Sequence, residues 1–154
     1  MKRIKKYFPI LILFITIISL SGCDKQIVEC GEFTDVKYNF LQLEGGSFTL
    51  KNLEVNKEVK LIISSQADYE KYVSSNLSLP AIDFKKNILI CGRTYLTTCG
   101  ILKSQSFLRR CNDLIYTINL ERLDCQKPEE IFHFAIIPKS VETLNIIFET
   151  KIKE

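Results

Sequence analysis

Alternation of apolar and polar residues with a period of two constrains this chain more than any other feature of its sequence. Successive side chains of a β-strand point to opposite faces of a sheet, so alternation predicts strands that bury one face. The predicted strands cover residues 36–43, 47–53, 59–63, 88–91, 101–108, 114–120, 131–137 and 144–148. Polar turns separate them, as is typical of antiparallel pairing. We expect an α+β fold that is mostly β, an antiparallel sheet or sandwich of about eight strands with one amphipathic helix.

The predicted helix follows the third of these strands. Ser65 and Asp68 form a capping-box pattern, in which a hydroxyl satisfies a backbone N–H of the first helical turn. The apolar residues that follow recur at helical spacing: Tyr69, Tyr72, Val73 and Leu77. Pro80 ends the predicted helix because proline cannot continue its hydrogen-bond pattern.

Two turns predict which strands pair. Gly45-Gly46 separates the first two strands, and glycine adopts the positive φ of a tight hairpin turn at no steric cost. Residues 109–113 turn the chain between the predicted strands at 101–108 and 114–120. Two residues that lie opposite each other in these strands should therefore have residue numbers that add up to roughly 222 to 224. That register places Cys99 opposite Cys125, near the Cα separation of about 5.5 Å that a disulfide needs. We therefore expect a Cys99–Cys125 disulfide.

The N-terminal segment has the character of a secretory signal. The cations Lys2, Arg3, Lys5 and Lys6 precede the apolar residues 7–20, a run shorter than the about 20 residues of a membrane-spanning helix. The Leu20-Ser21-Gly22-Cys23 sequence that follows resembles the lipobox of bacterial lipoproteins. The resemblance implies that Cys23 receives diacylglyceryl and becomes the N-terminus. An ordinary signal-peptidase site at Ser19-x-Ser21 is the alternative.

Three segments follow from this interpretation. Residues 1–22 are the lipoprotein signal peptide, residues 23–33 the lipid anchor and a short tether, and residues 34–154 a single β-rich domain. More than one acyl chain anchors a protein stably in a bilayer. We expect a lipid-anchored cell-envelope protein, with the outer membrane favoured over the inner and the periplasmic or surface face left open.

The net positive charge of the chain comes from its signal. Residues 1–22 hold four of the 21 cations and none of the 18 anions, so the remaining chain has a formal charge of −1. The net charge gives no support for a basic patch that binds nucleic-acid phosphate, and we expect no nucleic-acid partner.

Export permits disulfides, so cysteines other than Cys99 and Cys125 can also form them. A thioether at Cys23 leaves an odd number of thiols. A bond between Cys30 and Cys111 is one open possibility, and Cys91, inside an apolar strand, is most simply a small buried hydrophobe. No CxxC motif is present, which disfavours zinc.

The chain has a single histidine, His133. It lies in strand 131–137 on the face opposite Phe132 and Phe134, and it could act as a base only if an acid or a nucleophile converges on it. We expect a partly exposed strand histidine instead, and we predict no catalytic residue, no cofactor and no metal.

A resemblance to a known family rests on short segments of the chain. They are Leu61-Ile62-Ile63-Ser64-Ser65, Tyr69-Glu70, Ile82-Asp83-Phe84, Ile88-Leu89 and Ile137-Pro138-Lys139. These look like the PrcB-like C-terminal domain, a family of small exported lipoproteins and lipoprotein tails named for a component that stabilises a surface protease complex. The resemblance covers about residues 59–148. This chain has Thr98-Cys99-Gly100 where members carry a Gly-Gly turn.

Together these features predict a membrane-anchored envelope lipoprotein that acts as a non-enzymatic, protein-binding or accessory domain. Its partners would be the bilayer, through acylated Cys23, and another envelope protein. Arg109 and Arg110, in the turn at residues 109–113, are the candidate partner surface. The alternatives are a protease inhibitor or an envelope enzyme with a loop-built site, and a redox protein that uses an unpaired thiol.

Overall fold

The computed structural model describes residues 31–41 and 47–154. Their strands are β1 (Thr34–Asp35), β2 (Asn39–Phe40), β3 (Phe48–Leu50), β4 (Val59–Ile63), β5 (Val73–Ser75), β6 (Asn87–Leu96), β7 (Gly100–Arg110), β8 (Asp113–Arg122), β9 (Glu129–Pro138) and β10 (Asn145–Lys153). Helix α1 (Gln66–Tyr72) connects β4 to β5, and a 3-10 helix (Lys139–Val141) connects β9 to β10.

Two four-stranded sheets face each other. Sheet A has the order β1-β7-β8-β10 and sheet B the order β2-β9-β6-β4. The core between them includes Ile88, Ile90, Phe107, Leu114, Tyr116, Ile118, Leu120, Ala135 and Ile137. Within each strand these residues occupy alternate positions, so the period-two pattern sets which face is inside. The predicted α+β, mostly β sandwich with one helix is confirmed.

The central strand β6 is buried on both faces. Ile88 and Ile90 point into the core between the sheets. Leu89 and Cys91 point the other way, into a second core under α1 and the β3–β5 pair. A strand covered on both sides has an apolar run instead of alternation, which explains the sequence at residues 88–91. Cys91 is a fully buried free thiol, as predicted.

The β7–β8 hairpin follows the predicted register. Gly100 pairs with Arg122 and Arg110 pairs with Asp113. The residue numbers of these pairs add up to 222 and 223, within the predicted range. The turn contains Cys111 at a φ of 52°. Beyond the other end of the hairpin, Cys99 and Cys125 are joined by a disulfide with a Cα separation of 5.5 Å. This bond therefore ties together the two chain segments that enter and leave the hairpin.

A buried arginine fixes the loop that precedes β4. Arg93 is 3% exposed, and its Nη1 lies 3.1 Å from Oε1 of Glu130. Its Nε donates to the carbonyl of Lys57 at 3.1 Å, and its Nη2 donates to the carbonyl of Glu54. Oε1 of Glu130 also accepts a hydrogen bond from the backbone N–H of Asn56, which has a φ of 57°. The charge is thus paired and its loop held in a left-handed turn.

The helix is shorter than expected. Ser65 caps it as predicted, because its Oγ accepts the backbone N–H of Asp68 at 3.1 Å. It ends at Tyr72, and the chain continues as β5, so the predicted helical position of Leu77 is wrong and this side chain is 49% exposed. Val73 is buried as a strand residue that pairs with Leu50. Tertiary pairing with β3 therefore overrides the helical spacing.

Two expected pairings are also wrong. The strands on either side of Gly45-Gly46 do not pair with each other, since β2 pairs with β9 and β3 pairs with β5; the two glycines lie outside the described residues. Within the predicted first strand, residues 36–43, the described residues form strand only at Asn39–Phe40 (β2), and Thr34–Asp35 just before it forms β1 in the other sheet. Strand β10 pairs with β8 in the parallel direction, not antiparallel.

Candidate functional site

A pocket of about 340 Å³ opens between β7 and β9. The two edge strands next to it are short: β1 pairs only with Leu108 and Arg109 of β7, and β2 pairs only with Ala135 and Ile136 of β9. Within residues 31–41 and 47–154, no strand therefore covers residues 102–105 or 132–134 on this side. The pocket lies along that uncovered edge.

Aromatic side chains form much of the pocket wall: Phe40, Phe48, Phe132 and Phe134. The rings of Phe48 and Phe134 have their centroids 5.4 Å apart. Phe132 and Phe134 point to the outer face of sheet B and His133 to its inner face, yet all three line the pocket. The pocket therefore extends around the edge of β9, and a ligand there would meet side chains from both faces of the strand.

A β-bulge in β7 shapes the opposite wall. Leu102 pairs with Leu120 but Ser104 pairs with Asn119, so Lys103 is the extra residue. A bulge bends the strand and changes the direction of its side chains. Lys103 Nζ lies 2.8 Å from a carboxylate oxygen of Glu121. After the bulge, Gln105 reaches the buried Tyr116 between the sheets.

His133 is buried because a glycine makes room for it. The side chain is 2% exposed and lies opposite Gly92 of β6. A Cβ atom at position 92 would lie 2.6 Å from Cε1 and 2.7 Å from Nε2 of the ring. The expectation of a partly exposed histidine is therefore wrong, although its face was predicted correctly. The sequence did not show the cause because Gly92 and His133 are distant along the chain.

His133 is connected through Tyr116 to Gln105. Its Nδ1 lies 3.0 Å from the hydroxyl of Tyr116, and that hydroxyl donates to Oε1 of Gln105. Burial, and then the nearby charge of Lys60, lowers the pKa of His133 to about 4. The ring is therefore neutral at pH 7.

Tyr116 is equally constrained. Burial raises its pKa well above the usual value, and its ring stacks on Phe107 at a centroid distance of 4.4 Å. Tyr38 packs against Phe107 as well and donates its hydroxyl proton to the carbonyl of Gln105 at 2.6 Å. The polar groups behind the pocket thus form a connected network that fixes its inner wall.

This arrangement suits binding better than proton transfer. A general base works best with a pKa near the operating pH, whereas that of His133 lies near 4. In the described part of the chain, no carboxylate is hydrogen-bonded to the ring, and the hydroxyl that is hydrogen-bonded to it belongs to Tyr116, whose pKa is raised by burial. Burial also raises the pKa of the Cys91 thiol to about 12, which disfavours a reactive cysteine.

The other predicted site residues lie away from the pocket. Arg109 and Arg110 are exposed at the turn end of β7, and the Arg110 guanidinium lies 5.1 Å from the ring centroid of Phe33. Cys23 and Cys30 lie outside the described residues, so lipid attachment and a Cys30–Cys111 bond stay predictions. Cys111 itself is disulfide-bonded. Among the residues described, no cluster of three or more His, Cys, Asp or Glu side chains is placed to hold a metal.

Sequence reasoning missed the pocket. Phe132 and Phe134 could have been noticed because they flank the single histidine, but Phe40 and Phe48 join them only through the unforeseen pairings of β2 and β3.

No protein-family model, curated protein or solved structure matches the chain. The resemblance to the PrcB-like C-terminal domain therefore stays a prediction. No helix of the described residues has the length and apolar character required to cross a membrane.

Proposed function

We propose that this chain is a membrane-anchored envelope lipoprotein whose β-sandwich binds another envelope protein. The lipobox-like sequence before Cys23 supports the anchor. The pocket between β7 and β9 supports the binding role. Both parts are needed, because the anchor places the domain at a membrane and the pocket gives it a specific surface.

The pocket is the observation that carries the proposal. Its volume of about 340 Å³ lies at the lower end of the range of about 300 to 1,000 Å³ for small-ligand sites. It can therefore hold one large side chain or a small molecule. A side chain of a partner segment can therefore enter this pocket between β7 and β9. Pockets for individual side chains give specificity to the recognition of an extended segment.

Site-specific photocrosslinking in the native envelope tests the binding role. Phe40 lines the pocket and is 39% exposed, whereas Leu123 is 43% exposed and lies at the disulfide end of the β7–β8 hairpin. We expect a photoreactive phenylalanine at position 40 to form an adduct with a discrete envelope protein, and the same residue at position 123 not to do so. Equal protein adducts from both positions, or none from position 40, would show that the pocket is not the binding surface.

Fractionation tests the anchor. Wild-type protein should partition with membranes and incorporate a labelled fatty acid, whereas Cys23→Ala should incorporate none and should be either released or stalled as an uncleaved precursor. Recovery of wild-type chain with an unmodified Cys23 thiol in the aqueous fraction would contradict lipid attachment.

A further inference from the structure

The described chain begins at the turn end of the β7–β8 hairpin. Thr34 pairs with Arg109 and Asp35 with Leu108. Phe33, just before β1, is 50% exposed and packs under the guanidinium of Arg110. The residues that connect to the proposed lipid anchor therefore enter the domain at this end and not at the disulfide end.

The length of the connecting chain limits where the bilayer can be. Cys23 and Gly31 are eight residues apart, which spans at most about 29 Å when fully extended. The hairpin from Arg110 to Gly100 has ten steps and is about 33 Å long. With Cys23 in the bilayer, the turn end is thus the end within reach of the headgroups, and the disulfide end lies a further hairpin length along the sheet.

The side chains at the turn end suit an anionic interface. Arg109 and Arg110 are both exposed, and Lys37 is exposed nearby in the sequence after β1. Glu32 and Asp35 oppose them, and so does the half-buried Asp113, which pairs with Arg110 in the hairpin register and accepts a hydrogen bond from Nδ2 of Asn145. The cations therefore exceed the anions by one among the exposed side chains only. Arginine forms bidentate hydrogen bonds with phosphate, and the Phe33 ring provides the apolar component that interfacial surfaces commonly have.

We propose that this turn-end surface, formed by Phe33, Arg109 and Arg110, docks on the anionic phospholipid headgroups of the membrane in which the chain is anchored. The inference rests on the proposed anchoring at Cys23 and adds a second contact, from the folded domain itself. It gives the domain one orientation, with the hairpin pointing away from the bilayer. The pocket beside Lys103 then lies seven residues along β7 from Arg110, about 23 Å from the headgroups.

The test uses the full lipidated chain reconstituted in phosphatidylethanolamine vesicles, with or without phosphatidylglycerol. A photoreactive phenylalanine replaces Phe33, which keeps the ring under Arg110, or Leu123 at the opposite end of the hairpin. We expect a phospholipid adduct from position 33 that increases with phosphatidylglycerol, and little from position 123. Arg109→Glu/Arg110→Glu should lower the position-33 adduct by roughly fivefold or more, since each basic residue near an anionic surface contributes about that factor.

The matched control reverses the same number of charges at the other end of the sheet, where Arg122 and Lys127 are also exposed. Arg122→Glu/Lys127→Glu should leave the position-33 adduct unchanged. Equal lipid adducts from positions 33 and 123, insensitivity to phosphatidylglycerol, or a protein adduct in place of lipid at position 33 would each overturn the proposal. These outcomes are separate from those for the pocket, because position 40 reports on a protein partner and the fatty-acid label reports on the anchor.

Discussion

Replacing Gly92 by alanine tests how the sandwich accommodates a buried histidine. Gly92 pairs with Lys60 on one side and with His133 on the other. An added Cβ would lie 2.6 Å from Cε1 of His133, and it would be closer still to the backbone oxygen of Val59. Neither neighbour can move freely, since Val59 belongs to the paired strand β4 and the ring is held by its hydrogen bond to Tyr116.

The expected cost follows from these two contacts. Overpacking a well-packed core costs typically 1 to 3 kcal/mol, and the upper value of about 3 kcal/mol applies where backbone must move. Loss of glycine's freedom in the unfolded chain returns roughly 0.5 to 1 kcal/mol. We therefore expect Gly92→Ala to lower the free energy of unfolding by about 2 kcal/mol, which corresponds to a fall in Tm of roughly 8 °C for a domain of this size.

Thermal unfolding followed by circular dichroism measures the effect. Gly31→Ala is the matched control, because a Cβ at position 31 meets no atom within 4 Å, and its Tm should equal that of the wild type. In the double variant Gly92→Ala/His133→Ala the contact between the new Cβ and the ring is absent. The double variant should therefore lose less stability than the sum of the losses measured for Gly92→Ala and His133→Ala separately. Equal unfolding temperatures for Gly92→Ala and Gly31→Ala would show that position 92 has room for a side chain.

Three further outcomes are expected. The pKa of His133 falls from 6.5 to about 4 on folding. About 3 kcal/mol of the stability present above pH 6.5 should therefore be lost as the pH falls from 6.5 to 4. Urea unfolding should show that the stability of His133→Gln depends less on pH in this range. Cys99→Ser/Cys125→Ser opens a loop with a sequence separation of 26 and should cost roughly 3 kcal/mol, measured in guanidinium. Arg93→Met should cost about 3 kcal/mol in the same assay, because the Glu130 carboxylate loses its partner, and Arg93→Lys should cost less.

Local patterns predicted the elements whose partners are near in sequence. The Ser65 cap and the β7–β8 register both depend on neighbours within one helical turn or one hairpin. The register in turn brought Cys99 to Cys125, so one long-range contact followed from a local one. Where a short-range rule decides the geometry, the sequence was sufficient.

Contacts between distant residues explain what the sequence did not show. The predicted strand at residues 88–91 ended before Gly92 and Arg93, which have a turn-like and a polar character, but β6 continues to Leu96. Arg93 is tolerated in a buried strand only because the carbonyl groups of the loop before β4 and the carboxylate of Glu130 surround its guanidinium. The pocket depends on similar long-range pairings, so neither its walls nor the burial of His133 could be derived from periodicity.

The parallel pairing of β10 imposes an order on the assembly of sheet A. Asn145 pairs with Asp113 and Lys153 with Glu121, so β8 obtains its second neighbour from residues 32 positions further along the sequence. The β7–β8 hairpin joins segments that are adjacent in sequence and can form early. Strand β10 can pair with β8 only after the chain has crossed to sheet B as β9 and returned through the 3-10 helix. Until it docks, the backbone groups of β8 form an unsatisfied edge of the kind that recruits foreign strands. Residues 145–153 thus cover the edge of β8, and a chain cut before Asn145 should aggregate through that edge.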